Sequence, residues 1–181
     1  MKFISPNQIR ILSCILMTLW VVGCSSLDHT ARNGAIPKGE SIVFGNISLG
    51  SKTSSWASDV SKWFLADKII TVLCLNNGQP ILEHTFSGNG GPFYWALPPG
   101  KYLVLDLTSH VNVGVTKYRQ IRASFTITLE QPVIYLGTII ITPSNISVTD
   151  DFDSAVHAFH NKFPAHNGEP EKQLMTIDKR Q

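Results

Sequence analysis

The chain has 181 residues, 43% of them hydrophobic and 15% charged, with 15 Lys+Arg against 13 Asp+Glu. That length predicts a single domain with room for a core, and the near balance of charge excludes the strongly basic surface of a nucleic-acid binder. Lys2 and Arg10 fall in a segment read below as removed on export, which leaves 13 cationic side chains against 13 acidic ones in the mature chain.

Residues 1–23 read as an export signal. Lys2 and Arg10 make a positive n-region, and residues 11–22 form a mostly apolar run of 12 residues. A permanent membrane helix needs about 20 residues, whereas a signal h-region is of this shorter length. The run ends in Val21-Val22-Gly23-Cys24, which resembles the box of bacterial lipoprotein signals: an aliphatic residue, a tolerated residue, Gly or Ala, then Cys. The resemblance implies a diacylglyceryl thioether on Cys24, cleavage after Gly23, and acylation of the new amino terminus, commonly with palmitate. Thioether formation needs a sulfur nucleophile, and the peptidase needs a small residue at Gly23. Several acyl chains anchor firmly, because each buried methylene adds about 0.8 kcal/mol. Ser25 and Ser26 after the cysteine resemble the pattern that permits transfer to the outer membrane, so a periplasm-facing outer-membrane location is expected.

Residues 24–40 are polar, without apolar periodicity, and read as the lipidated cysteine and a flexible tether. Residues 42–49 form the first predicted strand, with Gly45 marking a bulge or a close approach. Trp56, Val60, Trp63 and Phe64 then recur at helical spacing. Such a stripe most often covers one end of a sheet; otherwise it serves as a carbohydrate platform, a partner site or a membrane-resting face, and Trp56, Trp63 and Phe64 are the candidate partner-binding residues. Residues 68–75 and 81–87 are predicted as a hairpin joined by a type I′ turn at Asn77-Gly78. A glycine-rich loop at 88–92 follows no phosphate-binding spacing and reads as a turn.

In residues 93–107, Phe93, Trp95 and Leu97 alternate before Pro98-Pro99-Gly100, and Leu103, Leu105 and Leu107 alternate after it. This predicts strand, type II turn and strand, with positive φ at Gly100. Residues 108–122 are mixed and polar, with Lys117, Arg119 and Arg122 close together, and read as a solvated hairpin tip or edge. In residues 124–130, Phe125, Ile127 and Leu129 are predicted to face inward. Residues 133–142 are apolar on both faces and predict a central strand, with Gly137 at a bulge. Residues 143–164 predict a capping helix: Asp150, Asp151 and Asp153 suit its start, Phe152, Val156, Phe159 and Phe163 share one face, and Pro164 stops it. Residues 165–181 read as a loose tail within which 174–177 docks briefly.

The sequence carries no recognisable reaction. Cys14 leaves with the signal and Cys24 carries lipid, so Cys74 stands alone and reads as a small buried hydrophobe. His157 and His160, three apart near Asp153, lack the further ligands of a metal site, and the aspartates lack the closing Glu of a calcium loop. Asp106 and His110 have no serine on a nucleophile elbow to complete a triad. The expected catalytic residues, metals and cofactors are therefore none.

About seven short strands at hairpin spacing with one late helix predict a mainly β fold, an antiparallel β-sandwich over residues 41–142 with a C-terminal helix packed on it. Leu97-Pro98-Pro99-Gly100-Lys101-Tyr102, residues 125–129 and Tyr135-Leu136-Gly137 resemble the transthyretin-like or carboxypeptidase-regulatory-like sandwiches of bacterial envelope lipoproteins. The resemblance implies adhesive, scaffolding or binding roles and brings no catalytic residues. The expectation is a lipid-anchored, non-enzymatic module whose partners are the membrane, through Cys24, and an envelope protein. The alternative is a carbohydrate or peptidoglycan binder using exposed aromatics; burial of Trp56, Trp63 and Trp95 would speak against it.

Overall fold

The structure, a computed structural model, describes residues 36, 38–50, 67–112, 115–142, 144–166 and 168–178. Strands β1 (Ser41–Leu49), β2 (Lys68–Cys74), β3 (Gln79–Phe86), β4 (Gly90–Leu97), β5 (Gly100–Asn112), β6 (Val115–Ile127), β7 (Val133–Ile141) and β8 (Ile146–Thr149) precede helix α1 (Phe152–Lys162). Two short strands follow, β9 (Glu171–Lys172) and β10 (Thr176–Ile177). The fold is mainly β, with two five-stranded sheets in a sandwich-like arrangement. The first sheet runs β4-β1-β7-β8 with β9 also on β7, and the second runs β10-β6-β5-β2-β3.

Alternation along the strands supplies the core between the sheets. Phe93, Trp95 and Leu97 of β4 meet Ile70 and Val72 of β2 and Phe125 of β6 in one buried cluster. The other face of the first sheet is also covered. Phe44, Tyr94 and Tyr135 there form a second cluster with Phe159 and Phe163 from α1 and its C-terminal cap. This double covering is why β7 is apolar on both faces. It sits between β1 and β8 as the expected central strand.

The register explains Gly45 of β1 and Gly137 of β7. The β1–β7 pairing shifts between Phe44 and Asn46, and a Cβ on Gly45 would lie 2.3 Å from the Gly137 carbonyl oxygen. Gly137 itself has φ 94°, which side chains disfavour. The bulge expected at both positions is one shared feature.

Several expectations are corrected. Residues 93–107 do not form a hairpin, because β4 belongs to the first sheet and β5 to the second. Pro98 and Pro99 offer no N–H to close a ladder, and the chain turns a corner between layers. The buried Tyr102 hydroxyl donates to the Pro98 carbonyl at 2.5 Å and ties that corner. Gly100 is not among the positive-φ glycines; a Cβ there would approach the Tyr102 hydroxyl to 3.3 Å, so space rather than turn type favours glycine. At the β2–β3 reversal Cys74 pairs with Gln79, which leaves residues 75–78 as the loop. Asn77 lacks the positive φ of a type I′ turn, and its side-chain oxygen instead accepts the Gln79 N–H at 3.0 Å.

The first sheet is not wholly antiparallel. β1 and β7 both enter it from the end where Ser41 and Val133 lie, so they pair in parallel. Residues 108–122 do hold the expected hairpin end, where Asn112 pairs with Val115, but most of them are paired strand, since β5 and β6 each run 13 residues. Leu129 does not face inward: β6 ends at Ile127 and Leu129 is 82% exposed in the turn beyond it. The segment given to the capping helix opens instead with β8, which pairs with β7.

The expected loose tail is ordered structure over residues 168–178. β9 pairs with β7 of the first sheet and β10 with β6 of the second. Between them the Gln173 and Met175 N–H groups donate to the Tyr135 and Leu136 carbonyls at 2.9 and 3.0 Å, and Met175 enters the core. Asp178 finishes the strap. Its N–H donates to the Arg122 carbonyl at 3.0 Å, and its carboxylate meets the Arg122 guanidinium at 3.5 Å. Arg122 takes a left-handed φ of 56° where the β5–β6 register shifts.

Candidate functional site

Gly23, Cys24, Trp56, Trp63 and Phe64 all lie outside the described residues. The flanks of the Trp56–Phe64 region are described. Gly50 follows β1 and Asp67 precedes β2, at the end of the sandwich opposite Ser41 and Cys74. Strand direction alone fixes this polarity.

Trp95, the remaining tryptophan of the aromatic test, is fully buried and stacks on Phe93 with ring centroids 4.0 Å apart. The rings on the outer face of the first sheet are likewise covered: Phe44 and Phe159 stack at 4.6 Å and Tyr94 meets Phe163 edge-on at 5.2 Å. They fill the space between helix and sheet and present no platform to a sugar ring.

The start of α1 forms an open cleft of about 350 Å³ lined by Asp150, Asp151, Phe152, Asp153, Ser154 and Lys172. Asp150 accepts the Phe152 N–H at 3.1 Å and the Lys172 ammonium at 2.9 Å. The Lys172 hydrogen bond holds the Asp150 carboxyl below its usual range, and the same bond raises the Lys172 pKa. Asp151, which directly precedes the helix, makes no side-chain capping bond; its N–H donates to the Tyr135 hydroxyl at 2.8 Å. Burial pushes that phenol's pKa up. Capping therefore falls to Asp150 among the three aspartates, and Lys172 of the C-terminal strap neutralises it. The cleft joins helix, sheet and strap, which is a structural task.

The other constellations do not converge. His157 Nδ1 lies 3.2 Å from the Asn161 amide and His160 packs beside Phe159, and no group of three metal-ligating side chains forms among the described residues. Cys74 is a free, partly buried thiol at the margin of the core, between Gln79 and Tyr102 in the sheet. Asp106 is buried with Oδ1 lacking a hydrogen-bond partner, and the side chain of His110 lies outside the described residues.

The sequence reading missed a polar row in the second sheet. Lys68 is fully buried at the start of β2, opposite Phe86 on one side and buried Ser109 on the other. Burial lowers the Lys68 pKa, with Asp67 acting weakly against it. The signal was present, because Lys68 has the same strand parity as buried Ile70 and Val72. Next to the row, His84 packs its ring edge-on to Trp95 at 5.9 Å and against Phe86 at 6.1 Å.

Burial holds the His84 pKa below its ordinary 6.5. Below pH 6.5 the unfolded chain therefore binds a proton that the folded chain refuses, so stability is complete above that pH and falls as pH drops towards the depressed value. Urea midpoints measured from pH 7.5 to pH 5.5 should decline in the wild type and decline less in His84→Phe. Equal slopes in the two proteins would remove His84 from the account.

No protein-family model and no curated protein matches this chain. Among solved structures, a leucine-rich repeat protein from Bacteroides thetaiotaomicron is similar over 72% of this chain at 16% identity, with a TM-score of 0.33; the match spans 17% of that protein's length.

Proposed function

We propose that the chain is a lipid-anchored, non-catalytic module of the bacterial envelope, facing the periplasm, that binds or scaffolds another envelope protein. The observation that carries the reading is the N-terminal pattern: the cations Lys2 and Arg10, the short apolar run and the box Val21-Val22-Gly23-Cys24 together fit lipidation at Cys24. The sandwich supports the binding half more weakly. Its side chains are spent on two cores, while the outer edge of β3 pairs with no strand among the described residues and leaves backbone groups able to pair with an added strand. Burial of Trp95 and of the outer-face rings favours this reading over a carbohydrate binder.

Cys24→Ala should move the chain from the membrane fraction to the soluble fraction, and crosslinking in intact cells should capture envelope proteins with the wild type. Unchanged fractionation would remove the lipid anchor from the proposal.

A further inference from the structure

One end of the sandwich gathers the start of β1, the end of β2, the start of β5, the end of β6 and the start of β7. Two exposed leucines stand there: Leu129 at 82% and Leu75 at 47%. The Leu75 N–H donates to the Lys101 carbonyl at 2.8 Å, and Leu129 follows Ile127, which pairs with Gly100. Across the sheet the two tips thus lie two strand spacings apart, about 10 Å. The turn bearing Leu129 also reaches β1, because the Pro132 carbonyl accepts the Ile42 N–H at 2.9 Å. Leu129 therefore sits beside the point where the chain arriving from Cys24 enters the fold.

A single exposed leucine needs no explanation. Two on one end do, since the other exposed large hydrophobic among the described residues, Leu174 at 40%, lies on the strap beside mid-β7. Ile36 packs against the outer cluster, 12 residues after Cys24. Twelve residues reach at most roughly 40 Å. That tether permits many orientations, so the leucines and not its length choose one.

We infer that this end rests on the bilayer that holds the Cys24 lipid, with Leu75 and Leu129 seated in the interface and the exposed Lys101 beside Leu75 at headgroup level. Exposed Glu130 next to Leu129 keeps the seat shallow. The inference builds on the lipid-anchor reading. It also fixes an orientation, since the end bearing Gly50 and Asp67 then points away from the membrane, where an envelope partner can reach it.

The test uses full-length lipidated protein carrying Cys74→Ser, reconstituted into phosphatidylethanolamine–phosphatidylglycerol vesicles and collected by flotation. An environment-sensitive dye is attached at Leu129→Cys, Leu75→Cys or, as control, Leu174→Cys. Each labelled chain is first checked for an unchanged urea midpoint. Dyes at 129 and 75 should shift to the blue and be quenched several-fold more by spin-labelled lipid than the dye at 174. Floating vesicles with a dye at 129 as water-exposed as that at 174 would overturn the orientation and leave the anchor standing. A chain that fails to float would overturn both.

Discussion

Replacing Trp95 with alanine should lower the unfolding free energy by about 3–5 kcal/mol, read as a shift of the urea midpoint to lower denaturant. A domain of this kind has about 5–15 kcal/mol in total, so the loss is a large part of it. Trp95 has no exposed surface although β4 is an edge strand, because its inner face is enclosed by Phe93, by Val43 of β1 and by His84 from the second sheet. Alanine would leave a cavity bounded by both sheets, and neither can close on it without breaking ladder bonds. Trp95→Phe should cost much less. It keeps a ring and removes an indole N–H that has no hydrogen-bond partner, a defect worth about 1–3 kcal/mol. Equal losses in the two variants would mean that the cavity is not the source.

Met175→Ala should cost about 2–5 kcal/mol, while the neighbouring Leu174→Ala should cost about 0.5 kcal/mol or less. The contrast tests the strap. Met175 is 4% exposed and belongs to the core between the sheets, whereas Leu174 is turned outward at the next residue. The backbone bonds from Gln173 and Met175 to β7 hold this alternation in place. If both substitutions are mild, the strap does not contribute to closing the sandwich, and residues 171–178 revert to a tail.

Legibility followed the range of the interactions. The Gly45–Gly137 bulge, the central place of β7 and the phenylalanine face of α1 were readable because each depends on side-chain parity or on the absence of a side chain. The strap was not readable. Its residues look polar and unperiodic, since β9 and β10 hold only two residues each and their ladders are completed by β7 and β6, far away in the chain. Leu129 misled because alternation has no marker for where a strand stops; β6 ended two residues earlier. Of the candidate site residues, Cys24 and Gly23 were picked out by a short linear pattern and lie outside the described residues. The fold adds nothing to that pattern, because a linear motif needs no tertiary contact.

The Pro98-Pro99-Gly100 corner marks the division most clearly. Sequence by itself determined that β4 and β5 are strands and that the chain must change direction between them, because alternation sets strand parity and two prolines stop a ladder. Whether those strands pair or part was decided only in three dimensions. Val43 of β1 takes the place beside Trp95, β2 and β6 flank β5, and the Tyr102 hydroxyl locks the corner onto the Pro98 carbonyl. Local chemistry determined the elements. Partnership among strands distant in sequence decided the sheets, the strap and the polarity of the two ends, because each of those depends on which backbone groups remain unpaired once the others have met.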